Sequence, residues 1–270
     1  MPTPSARARG GALRPYLFLT LAALFWSGNF VVGRAVQGRV PPVGLAFWRW
    51  TVALAILLAV ARRGLRAQRG ALLGSWKALV ALGILGVGNF NMFVYVGLGE
   101  TSATNALLLQ SACPAFIVAI AAATGSARAT ARQVAGMALS LAGVVAILTR
   151  GAPGTLAALS FSRGDLWVLA AVLSWAVYTL LLVRRPAGVE PLVLIAALVV
   201  VGVAWIAPFH AVELVRGERM SADATTVAAV LYVAVFPSVL AYWLWNEGVA
   251  RVGPSRAGVF LHLMPAFGSI

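Results

Sequence analysis

The stretches GLGETSATNALLLQSACPAF (Gly97–Phe116) and GVARVGPSRAGVFLHLMPAF (Gly248–Phe267) carry the same landmarks in the same order. Shifted by 151 residues, Gly97 falls on Gly248, Thr104 on Ser255, Ala106 on Ala257, and Pro114-Ala115-Phe116 on Pro265-Ala266-Phe267. Nearer the start of each half, Leu24-Phe25-Trp26 matches Leu173-Ser174-Trp175 at a shift of 149. The chain therefore reads as a repeat, with one unit over residues 15–149 and a second over 164–270.

Nine apolar runs fill almost all of the 270 residues: Pro15–Val36, Val43–Ala61, Ala78–Gly99, Ser102–Thr124, Gln133–Thr149, Leu166–Val183, Pro191–Phe209, Thr226–Asn246 and Pro254–Ile270. A bilayer core about 30 Å thick requires roughly 20 mainly apolar residues per helix, and most of these runs qualify. Composition agrees, with 61% hydrophobic and 10% charged residues, against about 25% charged in a soluble domain. The fold class is an all-α membrane protein. The first unit holds five runs, and an odd number turns the second unit upside down, which predicts two inverted-topology five-helix repeats. At the shift of 151, Ile270 corresponds to Ala119. The second unit is thus expected to lack a counterpart of the first unit's closing helix, leaving nine spans present and a tenth missing. The alternative is a nine-span chain whose C-terminus lies outside.

The net charge of +14 raises a nucleic-acid reading, which the distribution of the charge argues against. One set of alternate connections holds Arg7, Arg9 and Arg14, then Arg62, Arg63, Arg66, Arg69 and Lys77, then Arg128 and Arg132, then Arg184 and Arg185, then Arg251 and Arg256. The opposite set holds only Arg34, Arg39, Arg150, Arg163, Arg216 and Arg219. The positive-inside rule then places the N-terminus in the cytoplasm, in a multi-pass protein of a bacterial-type inner membrane. The bilayer and its headgroups, rather than nucleic acid, are the partners of the basic turns. Arg7, Arg9 and Arg14 followed by Tyr16–Trp26 resemble the start of a signal peptide. No clear small-x-small cleavage site closes that run, so a retained first helix is expected. Cys113 is the single cysteine, so no disulfide forms within the chain.

Several segments resemble the drug/metabolite transporter superfamily, specifically its EamA-type ten-helix branch. They are ALFWSGNFVVGRAV (Ala23–Val36), the Pro-rich start and FWRW within Pro41–Trp50, TSATNALLLQSACPAF (Thr101–Phe116), GMALSLAGVVAIL (Gly136–Leu148), GDLWVLAAVLSWAVYTLLLVRR (Gly164–Arg185) and Gly253–Phe267. Their order and spacing carry the resemblance, which covers nearly the whole chain. It implies two five-helix halves around a central cavity, moving small metabolites such as amino acids or nucleosides by alternating access, often outward. It implies no cofactor and no enzymatic activity, and leaves a homodimer open.

Polar groups at membrane depth are costly unless they face a cavity or a partner, so they mark candidate site residues. In the first helix Trp26 and Asn29 are three apart and share a face. Arg49 lies a few residues into the second helix. It either pairs with a substrate carboxylate, snorkels to the outer interface or binds a carbonyl. In the third helix Asn91 and Tyr95 share a face, while Asn89 points nearly opposite to Asn91, because two residues turn a helix about 200°. The shift of 151 puts Asn91 on Tyr242 and Tyr95 on Asn246, so a polar pair recurs and favours Asn91 over Asn89. Gln110 precedes Pro114, which removes a backbone hydrogen bond and predicts a hinge, and Pro265 repeats it. Trp175 and Tyr178 repeat the spacing of Trp26 and Asn29. His262, one position past the counterpart of Gln110, is a candidate proton relay because histidine titrates near neutrality. For each residue the competing reading is an interhelical hydrogen bond or plain packing.

Other classes fare worse. An intramembrane serine protease needs a Ser–His pair, yet no Gly-x-Ser-Gly occurs. Metal chemistry lacks clustered His and carboxylates, and no Walker loop is present. A non-transporting membrane scaffold is the remaining rival.

Overall fold

A computed structural model describes residues 6–125, 130–148 and 162–268 of the chain. Arg128, Arg150, Thr149 and Ile270, which figure in the charge pattern and the repeat boundaries, lie outside the described residues. Among the described residues every regular element is helical. We label α1 (Ala6–Ala35), α2 (Pro42–Ala67), α3 (Trp76–Glu100), α4 (Ala103–Ala123), α5 (Ala131–Leu148), α6 (Arg163–Arg184), α7 (Pro191–Val215), α8 (Ala224–Val252) and α9 (254–268). A short helix, Arg69–Gly74, follows α2. Seven of these, α1–α4 and α6–α8, are long and apolar enough to cross a bilayer. The other two expected runs appear as the eighteen-residue α5 and the broken α9.

The helix starts follow ordinary capping chemistry. Pro42, Pro191 and Pro254 open α2, α7 and α9, where a missing N–H costs nothing. Ser162 and Asp165 form a reciprocal capping box at α6, and Asp223 accepts the Thr226 N–H at 2.8 Å to cap α8. Ser102 caps α4, and its 151-shifted counterpart Gly253 joins α8 to α9 with φ +83, a left-handed conformation that glycine adopts freely.

Two helices widen mid-span. Residues Gly83–Asn89 of α3 and Ala234–Leu240 of α8 are π-helical, and they begin and end 151 residues apart. The α4 helix breaks after Gln110 and restarts at Cys113, while α9 tightens to 3-10 geometry over Val259–His262 before Leu263. Both breaks precede the Pro114 and Pro265 positions.

Several helices run past their apolar windows. The sequence places the end of the seventh span at Phe209, but α7 continues to Val215 before Gly217 (φ +80) turns the chain. Glu213, four residues past the end of that run, is buried inside the bundle. It accepts the Val43 N–H at 2.8 Å and pairs with His210 at 3.3 Å, tying the start of α2 to α7. Helix length follows backbone hydrogen bonding, not the limit of hydrophobic contact with lipid.

The most extensive helix pairs are α2 with α7, α3 with α6 and α1 with α8. Each joins a helix before residue 149 to one after residue 161. Glycines permit the closest approach: a Cβ on Gly97 would lie 2.8 Å from the Gly164 carbonyl, and one on Gly164 would lie 2.6 Å from the Gly97 carbonyl. The Thr101 hydroxyl seals the same contact by donating to Asp165 at 2.6 Å.

Candidate functional site

Where these helix pairs cross, polar side chains meet deep in the bundle. Arg49 of α2 is fully buried, and its guanidinium turns inward rather than snorkelling to the interface. Its Nη1 donates to Asn29 Oδ1 at 2.8 Å, to Asn91 Oδ1 at 2.9 Å and to the Tyr95 hydroxyl at 2.5 Å. Its Nε donates to Ser238 Oγ at 2.8 Å. Ser238 stands at the midpoint of α8 and donates to the Val233 carbonyl. The guanidinium carbon also lies 5.0 Å from the Trp50 ring and 5.6 Å from the Tyr95 ring, at cation–π distance.

The network continues through neutral groups. Tyr95 donates to Asn29 Oδ1 at 2.6 Å. Asn91 Nδ2 donates to the Val87 carbonyl at 2.9 Å and to the Tyr242 hydroxyl at 3.1 Å. Tyr242 in turn donates to the Gly86 carbonyl. These carbonyls belong to the π-helical part of α3, where the wider turn changes the ladder that would otherwise occupy them. On the other side, Tyr178 donates to Asn246 Oδ1 at 2.8 Å. That bond joins the shifted counterparts of Asn29 and Tyr95 with the residue types exchanged.

An aromatic wall adjoins this network. Trp26 packs edge-on against Trp175 at 4.9 Å and Tyr242 at 5.7 Å, and lies 5.2 Å from Trp245. Its indole N–H donates to the Pro237 carbonyl at 2.9 Å. Trp175 also contacts Tyr178, Tyr242 and Phe90. A cavity of about 640 Å³ opens elsewhere, at the end of the bundle lined by Thr124, Gln133, Arg184, Ser255 and Arg256.

Of the expected site residues, Trp26, Asn29, Arg49, Asn91, Tyr95, Trp175, Tyr178 and Tyr242 converge here. Asn89 does not: its side chain accepts the Trp205 N–H at 2.8 Å on the α7 side. Gln110 and His262 are buried, but among the described residues no hydrogen bond or ring contact joins them to this cluster. Pro114 and Pro265 are buried just after the breaks in α4 and α9. Sequence reasoning missed Trp50, Ser238 and Trp245. Asn246 was reachable through the shift of 151, whereas nothing local marked Trp245.

Seven helices of membrane-spanning length around a buried polar cluster mark a multi-pass membrane protein. The chain matches the EamA-like transporter family over residues 13–149 and 162–270, and belongs to it. It is 30% identical to an uncharacterised transporter of Archaeoglobus fulgidus, over 95% of this chain and 87% of that protein. It is 28% identical to a probable amino-acid metabolite efflux pump of Salmonella typhimurium, over 92% of this chain and 82% of that protein. A solved crystal structure with 25% sequence identity superposes with a TM-score of 0.72, covering 94% of this chain and 85% of that one.

Proposed function

We propose that this transporter exports small polar metabolites, amino acids among them, across an inner membrane by alternating access between two inverted repeats. The carrying observation is that shift-related residues touch at the centre: Asn91 bonds Tyr242, 151 residues on, and Trp26 packs on Trp175. In an inverted repeat such contacts fall on the pseudo-two-fold axis, near the bilayer midplane, where carriers of this architecture place their sites. The paired π-helical segments and the exchanged Tyr–Asn bonds support the same symmetry. The amino-acid relatives support the substrate class. Excess basic residues in the 62–77 connection favour a cytoplasmic N-terminus. The cavity lined by Arg184 and Arg256 then faces the cytoplasm, the side from which an exporter loads.

Everted membrane vesicles carrying the full chain test this reading. They should accumulate at least one labelled amino acid saturably, and lose roughly tenfold or more of that flux on Asn91→Ala, since transport depends on contacts made at the site. Absence of saturable accumulation across amino acids and nucleosides, with the protein folded and inserted, would overturn it.

A further inference from the structure

The central cluster has more hydrogen-bond donors than acceptors, and its one charge is positive. Arg49 is completely buried, and among the described residues no Asp or Glu pairs with it. Its Nη2 is buried and carries no partner. The acceptors around it are already engaged. Asn29 Oδ1 takes bonds from Arg49 and Tyr95, Asn91 Oδ1 takes one from Arg49, and the Pro237 carbonyl takes the Trp26 N–H. The unpaired atoms of the cluster are all N–H donors: Trp50 Nε1, Trp175 Nε1, Trp245 Nε1 and Asn246 Nδ2, on side chains at most 1% exposed.

A lone buried cation is expensive, and neutral dipoles and ring faces offset only part of that cost. A site holding surplus donors and an uncompensated guanidinium is complementary to an anion with several acceptor lone pairs. A carboxylate matches best, because the guanidinium fork binds it bidentately through planar N–H pairs.

We infer that Arg49 is the receptor for a carboxylate group of the transported solute. The Asn29, Asn91, Tyr95 and Ser238 oxygens hold the guanidinium until that group engages Nη2. The aromatic wall of Trp26, Trp175 and Trp245 accommodates the rest of the solute. Carboxylate recognition excludes amines and nucleosides that lack an anion. Because Ser238 belongs to the second half, replacing its bond to Nε with a solute oxygen would loosen one tie between the halves. That last consequence rests on the transport reading; binding itself does not.

The test is therefore a binding measurement. The full chain in nanodiscs is unfolded thermally at neutral pH with the standard L-α-amino acids and, separately, with their carboxamides. The amide keeps the side chain and the amino group and removes the anion. At least one amino acid should raise the unfolding midpoint in a dose-dependent way, with its carboxamide binding roughly tenfold or more weaker. Arg49→Gln should abolish the difference between acid and amide. Trp245→Phe, which trims the aromatic wall but leaves Arg49 in place, should weaken acid binding severalfold while the preference for acid over amide persists. Equal stabilisation by acid and amide, or stabilisation by none of the acids, would overturn the proposal. Saturable flux of neutral nucleosides, unaltered by Arg49→Gln, would also overturn it while leaving the transporter reading intact.

Discussion

Tyr95 sits where a single hydroxyl serves two partners, accepting from Arg49 and donating to Asn29. Tyr95→Phe removes both bonds, while Arg49 Nη1 keeps Asn29 and Asn91 and Asn29 Oδ1 keeps Arg49. Loss of about 1–3 kcal/mol of stability is expected for the two lost bonds together, read as a lowered thermal midpoint. The residue scale is also where the sequence was most informative about the site. Helical geometry set Asn91 and Asn89 on opposite faces and the shift of 151 favoured Asn91; the structure puts the first beside Arg49 and the second against Trp205. The spacing of Trp26 with Asn29, and of Trp175 with Tyr178, marked side chains that converge. The direction of Arg49 was illegible, because its long side chain reaches outer interface or bundle centre from the same Cα. The partners that hold it inward are spread along the chain: Asn29, Asn91, Tyr95 and, 189 positions away, Ser238.

At the scale of elements, glycines and π-turns set how closely the helices approach. A Cβ on Gly86 would lie 2.4 Å from the Tyr178 ring, and one on Gly202 would lie 2.2 Å from the Val87 side chain. Gly86→Ala should destabilise by about 1–3 kcal/mol, because the ring is packed and cannot yield without strain. Gly70→Ala is the matched control. It lies in the short helix Arg69–Gly74 with nothing within 4 Å, so stability should stay level or rise by up to about 1 kcal/mol. Thermal unfolding of both variants under one condition checks the contrast. Seven of the nine apolar runs appear as helices long enough to span, in the expected order. Helix ends were not legible: the apolar run stops at Phe209 while α7 continues to Val215. The π-helical turns had no local signature beyond Gly83, Gly86 and Gly88 in one and Pro237 in the other. In the α3 segment the Gly86 carbonyl accepts side-chain bonds from Asn91 and Tyr242, and at the start of the α8 segment the Val233 carbonyl accepts one from Ser238.

For the whole molecule, the proposed orientation predicts a labelling pattern. Cys113 is fully buried, so the wild-type chain should resist a membrane-impermeant maleimide. A cysteine replacing Arg69 should label only from the cytoplasmic side, and one replacing Arg219 only from the outside; the reverse pattern would invert the topology. On that outer side, Arg39 pairs with Asp223 at 3.2 Å while the Ser221 N–H bonds the Arg39 carbonyl. The Thr226 N–H, and then the Arg39 guanidinium, hold the Asp223 carboxyl below the usual carboxylate range. A depressed folded value means that its contribution is complete above the unfolded value near 4 and fades as pH falls through the folded one. Asp223→Asn keeps a capping oxygen and should shift the neutral-pH thermal midpoint hardly at all, since exposed ion pairs contribute little. The landmarks that recur at the shift of 151 are legible in the sequence, and the π-helical segments recur at the same shift. The exchange of α1, α2 and α3 against α8, α7 and α6 was not legible, because apolar periodicity does not say which helix a face meets.

The claim that binds these scales together is that one central site is exposed alternately to each side of the membrane. Counterflow in proteoliposomes tests it most directly: vesicles preloaded with an excess of unlabelled amino acid are diluted into a trace of the same labelled compound. A carrier of this design should show transient accumulation of label above equilibrium, reduced about tenfold or more by Asn91→Ala in folded protein. Equilibration without overshoot, or an overshoot indifferent to Asn91→Ala, would contradict the account.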